Sequence, residues 1–532
     1  MRIDTVHIKS RFKNLEDFHI DIDENAWETV LLGLNATGKS NFLEALVIIF
    51  RDLDLIYNHN KKITQSFDYY IKYECRGNNI EVTFENGKYS FLVNQESMSS
   101  EFTKNIEHYL PKHVFIYYSG ISDRLADLYI PHQKIYYEEI IQADAKKTKF
   151  DTIRKVFLAQ NIHANFALIA FFMFPDEEGI QDNETIKFLK EELKINDFGS
   201  ALFMLKEPDW AKGKKDRKNN LFWGADGLVE KFLDDLLLFS FAPIHHKARV
   251  DVSYKKSESQ DRLYLYIRDK ATFSDLVEFK YKNKIELFNA LESIHISDML
   301  HDVKIKVQKE GVDGELAMSE LSEGEKQLLT VLGLLKFTKD EESLILLDEP
   351  DTHLNPMWKW KFLDYLDRVV KRKDNTQIIF CSHDPLVIGN LKKNQVQIFK
   401  KNKDGKTEAF NPYISPREMS VSKILTSELF GIPSLMSKKL EDLLNQKRFL
   451  QAKIAQGELE EDEKGQFERL KNYFDKIGFN DDTVDSRYNQ YLKLTSNYKE
   501  FANRKYTKEE ADELDRIAKE VLDEILKGEK GE

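Results

Sequence analysis

The sequence predicts an α/β fold, and three observations support this prediction. An apolar, β-branched segment at residues 27–32 runs into Gly33 and is followed by apolar residues at helical spacing. A second apolar strand pattern, at residues 343–347, ends in an Asp-Glu pair. Short alternating segments fill the first 120 residues. Together they predict a mixed-sheet lobe beside a core of parallel strands and helices.

The elements in chain order begin with strands separated by polar turns such as Glu85-Asn86-Gly87. Strands are expected at residues 3–8, 18–22, 29–32, 68–73, 80–84, 89–93 and 114–118. From about residue 134 to 240 the pattern becomes mainly helical. Strand-like segments return at residues 263–267 and 303–308.

The glycine-rich loop after the third strand fits the pattern G-x-x-x-x-G-K-[ST] with Gly33, Gly38, Lys39 and Ser40 in its fixed places. In such a P-loop the backbone N–H groups and the helix N-terminus attract phosphate, the lysine reaches the β- and γ-phosphates, and the serine can coordinate Mg²⁺. A plain glycine turn does not explain the Lys-Ser pair. The predicted ATP contacts here are Asn35, Ala36, Thr37, Gly38, Lys39, Ser40 and Asn41.

The Asp-Glu pair at the end of the second apolar strand is Asp348-Glu349. A strand that carries adjacent carboxylates to its C-terminal edge, beside a P-loop, places Asp348 in the Mg²⁺ shell and Glu349 where it can polarise an attacking water. These are the roles of a Walker B motif. An acidic strand end that only caps the next helix is the alternative, and the upstream P-loop disfavours it.

The segment LSEGEKQ, which begins at Leu321, precedes an apolar helix and contains a capping box formed by Ser322 and Glu325. Since it lies shortly before the Walker B strand, it resembles the LSGGQ signature of ATP-binding-cassette (ABC) ATPases. The resemblance implies that Ser322, Gly324 and Glu325 contact the γ-phosphate of an ATP held on a second subunit.

His383 follows the apolar segment at residues 378–380, where such ATPases carry a switch histidine that senses the γ-phosphate. A lone histidine after a strand is more often structural, but the resemblance assigns catalytic roles to His383 and Glu349. Asn355 ends a stretch that resembles the D-loop, which in the family usually ends in Asp. Gln133 is the nearest candidate for the Q-loop glutamine, a further Mg²⁺ ligand.

The P-loop sequence GLNATGKSN, followed by FLEAL, resembles the Rad50, SMC and RecF class of ABC-type ATPases and their OLD-type relatives in anti-phage defence. This resemblance covers residues 1–50 and 315–410. The intervening insert is too short and too apolar for a long coiled coil. In overall layout the chain is most similar to the PtuA-type ATPase subunits of Septu defence systems, which also occur in retron cassettes.

The resemblance implies an ABC-type P-loop ATPase head assembled from separated parts. Residues 1–133 would form its N-terminal part with the P-loop, and residues 134–245 an inserted, mainly helical subdomain. Residues 246–411 would supply the signature, the Walker B strand and the switch histidine. Residues 412–532 would form a helical extension and a candidate docking region for a partner.

Composition restricts the classes of function. The net charge of −12 argues against general coating of nucleic acid but leaves room for a local basic groove. No apolar run reaches the 18 or more residues of a membrane span, which excludes a transporter subunit with its own span. The chain has only two cysteines and begins without a secretory signal, so we expect a reducing, cytoplasmic location.

The leading hypothesis is an ATPase that controls a separate HNH-type nuclease of an anti-phage complex through nucleotide-dependent head dimerisation. The region after residue 412 shows no carboxylate-bearing strands typical of a nuclease domain, so the nuclease is expected on a partner. The alternative is a RecF-like DNA-binding ATPase clamp in recombination or repair. A transporter's cytosolic ATPase is disfavoured by the P-loop subclass and the large insert.

The expected partners are a second copy in a head-to-tail homodimer or higher oligomer, the HNH nuclease, and DNA or RNA, including a retron-derived one. The basic run at residues 212–218 is a candidate nucleic-acid contact, with a solvated loop as the alternative. The apolar face of a terminal helix is a candidate nuclease dock, with packing on the chain's own core as the alternative. That face is formed by Leu514, Ile517, Val521 and Ile525.

Overall fold

The structure of the 532-residue chain is a computed structural model. The residues it describes are 1–120, 125–142, 154–174, 184–212, 221–253, 256–338, 342–370, 373–432, 435–456, 460–476, 516, 517 and 519. Two compact units divide the chain, Met1–Gly431 and Ile432–Glu532.

The strands of the described residues all lie in the first unit. In chain order they are β1 Arg2–Ile8, β2 Phe18–Asp21, β3 Glu28–Gly33, β4 Tyr69–Cys75, β5 Asn78–Glu85, β6 Lys88–Val93, β7 Glu96–Ser97, β8 His113–Tyr118, β9 Val156–Ala159, β10 Ile195–Lys206, β11 Ile244–Ser253, β12 Lys256–Ile267, β13 Leu300–Lys309, β14 Glu315–Ala317, β15 Ser343–Asp348, β16 Thr376–Cys381, β17 Val396–Lys401 and β18 Thr407–Phe410.

The α-helices of the same residues connect and cover these strands. They are α1 Lys39–Tyr57, α2 Ser99–Lys104, α3 Ile106–Tyr109, α4 Ala126–Gln142, α5 Ile162–Met173, α6 Glu184–Glu191, α7 Gly227–Phe239, α8 Lys270–Lys280, α9 Lys284–Ile296, α10 Glu323–Thr338, α11 Pro356–Val369, α12 Pro385–Ile388, α13 Val421–Thr426, α14 Lys438–Gln456 and α15 Glu461–Lys476.

A seven-stranded sheet with the order β18-β17-β3-β16-β15-β8-β9 forms the centre of the first unit. All neighbouring pairs are parallel except β17 and β18. The strands β15 and β16 are buried along their whole length, which is why they read as continuous apolar runs in the sequence. The predicted α/β fold with a parallel-sheet core is therefore confirmed.

Two hydrophobic clusters pack on opposite faces of the central sheet. Along β15, Ile345 and Leu347 point into one cluster, whereas Leu344 and Leu346 point into the other. The first cluster is filled mainly by helices from α5 to α11, and the second contains α1 and the six-stranded sheet β2-β1-β4-β5-β6-β7. This second sheet forms the lobe predicted in the first 120 residues, but all of its strand pairs are antiparallel, so it is not the mixed sheet that was expected.

The first unit also contains a five-stranded antiparallel sheet with the order β11-β12-β10-β13-β14. Its strands β12 and β13 include the strand-like segments expected at residues 263–267 and 303–308, whereas β10 lies in the segment expected to be mainly helical. Within residues 134–245 the structure places the strands β9 and β10 as well as the helices α5, α6 and α7. The sequence did not reveal them because β9 is only four residues long, and β10 pairs with strands that lie more than 50 residues later. This segment is part of the first unit, which runs without a break to Gly431.

A buried ion pair joins the edge of the central sheet to the helical layer. Arg154, just before β9, contacts Glu292 on α9, and both side chains are almost completely buried. Burial alone would raise the pKa of Glu292, but the charge of Arg154 and the contact with His163 lower it to about 2. Removing one partner of such a pair costs about 3–5 kcal/mol because the other charge stays buried.

The second unit contains the helices α14 and α15, which pack against each other. Lys453 on α14 pairs with Glu463 on α15 at 2.5 Å, and the Lys447 ammonium lies 5.3 Å from the centre of the Phe474 ring. Of the predicted terminal apolar face, only Ile517 is described, and its side chain is buried. Leu514, Val521 and Ile525 lie outside the described residues.

No helix in the described part of the chain combines the length and apolar character that crossing a bilayer requires.

Candidate active site

The carboxyl ends of three neighbouring parallel strands bring the sequence motifs together. The strand β3 leads into the P-loop, β15 ends at Asp348, and β16 ends two residues before His383. In the ladder, Asp348 is level with Cys381, and Cys381 is level with Leu31. Loops that follow parallel strands meet at one edge of the sheet, which is where ligands bind in open α/β sheets.

Glycine is required at the start of the P-loop. Gly33 has φ +145°, and a Cβ atom there would lie 2.3 Å from the backbone oxygen of Phe399 on β17. Gly38 has φ +106° and adopts the left-handed conformation at the N-cap of α1, where no side chain caps the helix. The N-terminus of α1 thus begins at a glycine, which lets an anion approach the backbone closely.

Lys39 folds back over the P-loop. Its ammonium group donates hydrogen bonds to the carbonyl oxygens of Gly33 at 2.7 Å and Leu34 at 3.3 Å. Burial lowers the pKa of Lys39, whereas the charges of Asp348 and Glu349 act in the opposite direction. The lysine therefore lies in the cradle with two carboxylates close enough to influence it.

An open pocket of about 660 Å³ contains most of the predicted ATP contacts. Its lining is Lys13, Asn14, Asn35, Ala36, Gly38, Lys39, Ser40, Asn41, Glu349, His383 and Lys401. Lys13, Asn14 and Lys401 were not predicted, because they lie in segments without a recognisable motif. Asn14 holds the P-loop from outside, since its amide donates to the Ala36 oxygen at 3.0 Å and its oxygen accepts from Asn41 at 2.6 Å.

Among the ATP contacts predicted in the P-loop, Thr37 is the one that does not line the pocket. Its side chain is buried, and its hydroxyl donates to the Leu34 oxygen at 2.8 Å. Its carbonyl oxygen accepts a hydrogen bond from Thr407 on β18 at 2.9 Å. The side chain of Thr37 thus shapes the loop from within.

The two Walker B carboxylates differ in exposure. Asp348 is 4% exposed at the end of β15, whereas Glu349 lies on the pocket wall. Glu349 has φ +53°, an uncommon conformation for a residue with a side chain. Hydrogen bonds on both sides of the residue hold it there: the amide of Glu349 donates to the Cys381 oxygen at 3.1 Å, and the carbonyl of Glu349 accepts from Thr352 at 2.9 Å.

His383 faces the Walker B glutamate across the pocket. Its Nε2 lies 3.4 Å from Oε1 of Glu349. Burial lowers the pKa of His383, and the charge of Lys39 lowers it further, so the ring is mainly neutral at pH 7. A neutral imidazole can donate one hydrogen bond and accept another.

The residue before His383 anchors the switch to the loop after Walker B. The Ser382 hydroxyl donates to Asp351 at 2.8 Å, and both side chains are buried. Burial raises the pKa of Asp351 to about 6. On the other side of the histidine, Asp384 pairs with Lys359 at 2.8 Å. The residues on both sides of His383 are therefore fixed by side-chain contacts, which restricts the position of the histidine.

The signature segment forms the predicted capping box at the start of α10. Ser322 donates to the Glu325 carboxylate from its amide and its hydroxyl, each at 2.8 Å, and the Glu325 amide donates back to the Ser322 hydroxyl at 3.3 Å. Burial would raise the pKa of Glu325, but the ion pair with Lys309 and the bonds from Ser322 lower it below its usual value. The lining of the P-loop pocket in the same chain does not include Ser322, Gly324 or Glu325.

Gln327 is a connecting residue that the sequence motifs did not single out. Its side chain is 3% exposed. Its amide nitrogen donates to the carbonyl of Glu349 at 3.3 Å, and its oxygen accepts from the amide of His353 at 3.0 Å. Gly324 reinforces this junction, since a Cβ atom there would lie 2.6 Å from the His353 oxygen. The polar Gln327 on the buried side of an apolar helix was the available signal.

The predicted D-loop residue Asn355 caps a helix. Its side-chain oxygen accepts from the amide of Trp358 at 2.9 Å, at the N-terminus of α11. This capping role accounts for an asparagine at the position where the family usually has Asp, because both residue types are good N-caps.

The structure places Gln133 away from the P-loop, which corrects its assignment as a Mg²⁺ ligand. The preceding residue, His132, contacts Asp54 at 2.8 Å. Asp54 lies fifteen residues beyond Lys39 on α1, which is about 22 Å along a helix. The sequence pattern could not show that α4 packs beside the far end of α1.

Asp54, His59 and His132 form the one group of three or more His, Cys, Asp or Glu side chains among the described residues whose ligand atoms lie within 4.8 Å of one another. Lys155 already pairs with Asp54 at 2.6 Å. That ammonium group satisfies the carboxylate without a metal.

The donor set at the sheet edge fits ATP and Mg²⁺. The N-terminus of α1 and the Lys39 ammonium suit phosphate. The Ser40 hydroxyl on the pocket wall and the Asp348 carboxylate at the end of β15, whose charge acts on Lys39, are oxygen ligands of the kind Mg²⁺ prefers. The predicted ligands other than Gln133 thus fit both groups.

Comparison with known proteins gives one family match. Residues 214–389 match the family described as "AAA domain, putative AbiEii toxin, Type IV TA system". The matched segment contains the signature, the Walker B strand and the switch histidine. The Septu protein PtuA of Bacillus mycoides (strain KBAB4) is 24% identical over 139 residues, which is 26% of this chain and 19% of that protein. The match thus spans about a fifth of the length of this relative.

Among solved structures, the SMC head domain of Thermotoga maritima is similar over 78% of this chain and all of that chain, with 13% identity and a TM-score of 0.31. The SMC head domain of Pyrococcus furiosus with an extended coiled coil, bound to a ScpA domain, is similar over 80% of this chain and all of that chain, with 15% identity and a TM-score of 0.32. These scores are low, so the fold assignment rests on the strand order and the motif positions.

The strand order, the motif positions and the family match support the same assignment. The order of the central strands and the positions of the motifs fit the P-loop ATPase head that the sequence predicts, and the family match covers the part of the chain that carries the signature, the Walker B strand and His383.

We predict that Gly33→Ala weakens nucleotide binding by about tenfold or more. The new methyl group would overlap the Phe399 oxygen and separate β3 from β17, so the phosphate cradle would lose its shape. Binding of a fluorescent ATP analogue, measured by titration, checks this.

Gly87→Ala is the matched control, because Gly87 also has a positive φ, +76°, but a methyl group there would meet no other atom within 4 Å. This variant should keep native nucleotide affinity. Equal affinities of the two variants and the native protein would contradict the proposed role of Gly33.

Proposed function

We propose that the chain binds and hydrolyses ATP in composite sites between paired heads and thereby controls a separate HNH-type nuclease in an anti-phage defence complex. The observation that carries the ATPase part is the convergence of Lys39, Ser40, Glu349 and His383 on one pocket. The remaining parts of the proposal rest on the signature segment and on the similarity to the Septu protein PtuA.

Phosphate binding is assigned to the P-loop. The Lys39 ammonium exchanges its two bonds to loop carbonyls for the β- and γ-phosphate oxygens of ATP, and the amides at the start of α1 surround the same oxygens. When bound, Mg²⁺ neutralises charge on these phosphates, and Ser40 and Asp348 are the residues that would hold it.

The proton chemistry is assigned to Glu349 and His383. The Glu349 carboxylate accepts a hydrogen bond from the attacking water and orients it in line with the γ-phosphate. The neutral His383, whose Nε2 lies 3.4 Å from Oε1 of that carboxylate, has a single N–H to donate, so it would turn from Glu349 to the γ-phosphate when ATP is bound and thereby sense it. The bonded backbone of Glu349 means that little reorganisation is needed before attack.

Head pairing is supported by the separation of the two motifs within one chain. Ser322 starts α10 outside the lining of the P-loop pocket, and its hydroxyl and amide face Glu325 of the same turn. A second protomer in head-to-tail orientation would present its own Ser322 to the γ-phosphate. Two symmetric composite sites would then form in each pair.

A nuclease partner is proposed from the similarity to the Septu protein, and the second unit, Ile432–Glu532, is the proposed contact region. The motifs of the ATPase head all precede Gly431, so the second unit is free to serve another purpose. DNA or RNA is the proposed trigger or cargo of the complex.

We predict that Glu349→Gln lowers ATP turnover by about 10²-fold or more while ATP still binds. The amide keeps the size of the side chain but cannot act as the base that orients water. Phosphate release and equilibrium nucleotide binding, measured on the same preparation, separate the two effects. Native turnover in this variant would remove Glu349 as the base.

We predict that mixing two inactive variants restores part of the activity. Lys39→Ala removes phosphate binding and Ser322→Arg blocks the signature, so each homodimer has no intact site. In a mixed pair, the Ser322→Arg protomer supplies an intact P-loop and the Lys39→Ala protomer supplies an intact signature. ATPase activity of the mixture, measured against total protein, should reach up to about a quarter of the native value.

The control for this mixture is the pair Lys39→Ala with Glu349→Gln. Both changes affect the P-loop side of the site, so no mixed pair contains an intact site and activity should stay at background. A first mixture as inactive as this control would show that the two motifs do not act across protomers.

We predict that a chain ending at Gly431 keeps ATPase activity but loses the nuclease partner. The cut falls at the boundary between the two units, so the head keeps its own core. Phosphate release and co-purification with the co-expressed nuclease are measured separately. A truncated, ATPase-active chain that still retains the nuclease would place the contact on the head.

A further inference from the structure

The five-stranded sheet has one covered face and one open face. On β12 the residues Leu263, Leu265 and Ile267 are completely buried and belong to the main hydrophobic cluster, together with residues of α8 and α9. The alternate residues must point to the other face. Tyr264 is half-buried there and Tyr266 is 36% exposed.

The open face continues across the neighbouring strands. Strand pairing places Leu202 beside Tyr266, Met204 beside Tyr264 and Lys206 beside Arg262. On the next strand, Lys304 is opposite Leu202 and Lys306 is opposite Ser200. On the edge strand, Ile244, which is 59% exposed, is opposite Tyr264. We call this surface the Tyr/Lys face, and its residues are Leu202, Met204, Lys206, Ile244, Arg262, Tyr264, Tyr266, Lys304 and Lys306.

Positive charge is concentrated at one side of the Tyr/Lys face. Burial lowers the pKa of His301, which lies at the start of β13 beside this face. The charges of Arg262, Lys206 and Lys304 lower that pKa further, whereas the charge of Asp302 raises it, so three cations and one carboxylate act on the same imidazole. Such a cluster on a chain with a net charge of −12 indicates an anionic ligand.

Carboxylates near the Tyr/Lys face do not cancel this charge. Asp302 is half-buried on the face, and Lys206 pairs with Asp298 at the end of the strand. Lys306 lies 4.0 Å from Glu315, with both side chains well exposed. Exposed pairs of this kind contribute little to stability, so phosphate can replace the carboxylate. Arg262 donates a hydrogen bond to Gln260 at 3.2 Å, and this partner carries no charge.

We propose that the Tyr/Lys face binds single-stranded nucleic acid, with bases stacked on Tyr264 and Tyr266 and phosphates on Arg262, Lys304 and Lys306. Aromatic side chains on an open sheet stack unpaired bases, and a row of cations beside them follows the backbone. The two tyrosines lie about 6.7 Å apart along β12, so neighbouring bases of an unstacked strand can each meet one ring. A duplex hides its base faces and cannot use the tyrosines.

This inference does not depend on ATP hydrolysis, and it assigns a location that differs from the basic run at residues 212–218. Of that run only Lys212 is described, and it pairs with Asp209 at 2.7 Å. The remaining residues of the run lie outside the described residues. The experiment distinguishes the Tyr/Lys face from the basic run, because the lysines that it changes belong to the Tyr/Lys face alone.

The experiment uses the full chain and three labelled probes of about 20 nucleotides, long enough for one binding platform: oligo-dT, oligo-U and a mixed-sequence DNA duplex. Fluorescence anisotropy is recorded at several salt concentrations. The native protein should bind one or both single strands more tightly than the duplex. The ratio of the affinities for oligo-dT and oligo-U distinguishes DNA from RNA as the ligand.

Tyr264→Ala with Tyr266→Ala should weaken single-strand binding by about tenfold or more, whereas Tyr264→Phe with Tyr266→Phe should keep it, because the rings remain.

Lys304→Glu with Lys306→Glu should reduce the slope of log affinity against log salt by about 1.4, the value for two phosphate contacts on a single strand. Lys88→Glu with Lys104→Glu is the matched control. These two exposed lysines lie on and beside the six-stranded sheet, and the slope should not change.

Far-UV circular dichroism and binding of a fluorescent ATP analogue show that each variant is folded. Native affinity in a folded double-alanine variant would overturn the proposal. So would a native protein that binds only the duplex, or none of the three probes at low salt. An equal loss in the phenylalanine pair would assign the effect to the hydroxyl groups and overturn the stacking model.

Discussion

The parallel register of β3, β16 and β15 is the constraint on which the rest of the head depends. Gly33 and Asp348 lie more than 300 residues apart in the chain, yet their strands are separated by only one other strand. Since Leu31, Cys381 and Asp348 are level in the ladder, the loops that follow open at the same height. A slip of one residue would turn each side chain to the opposite face and remove the pocket.

The motifs whose residue types and spacing indicate a specific chemical role could be predicted from the sequence. Gly33, Lys39, Asp348 and His383 belong to short segments whose strand and helix context could be read locally, and the structure places these segments at one edge. Features that depend on long-range packing were not predictable. Gln133 was assigned by its position in the chain, but the packing of α4 beside the end of α1 decides where it lies.

The five-stranded sheet illustrates the same limit. Its central strand, β10, pairs with β12 and β13, and neither partner can be identified from the alternation of β10 alone.

Polar residues inside motifs carry information that pattern matching overlooks. Gln327 was visible as a glutamine on an apolar helix, but only the structure shows that it bonds to the loop on both sides of the Walker B turn. A buried amide without these partners would be costly.

The strand β13 connects two regions of the first unit that differ in chemistry. Its middle carries Lys304 and Lys306 on the open face of the five-stranded sheet, and its last residue, Lys309, pairs with Glu325 of the signature segment. From there the helix α10 leads through Gln327 to Glu349. A displacement of this strand would therefore reach the signature capping box and the Walker B loop through directly bonded side chains.

The position of β3 between β16 and β17 has a consequence during protein synthesis. The P-loop is synthesised long before β17, since the carbonyl of Phe399 that borders Gly33 is made 366 residues later. At about 5–20 residues per second, this delay is roughly 20–70 s. During this time the nascent chain can form the local hairpins β4-β5-β6, but its P-loop has neither neighbouring strand. Nucleotide therefore finds no complete cradle during this time, and the apolar β3 has no strand partner until β16 and β17 have been made.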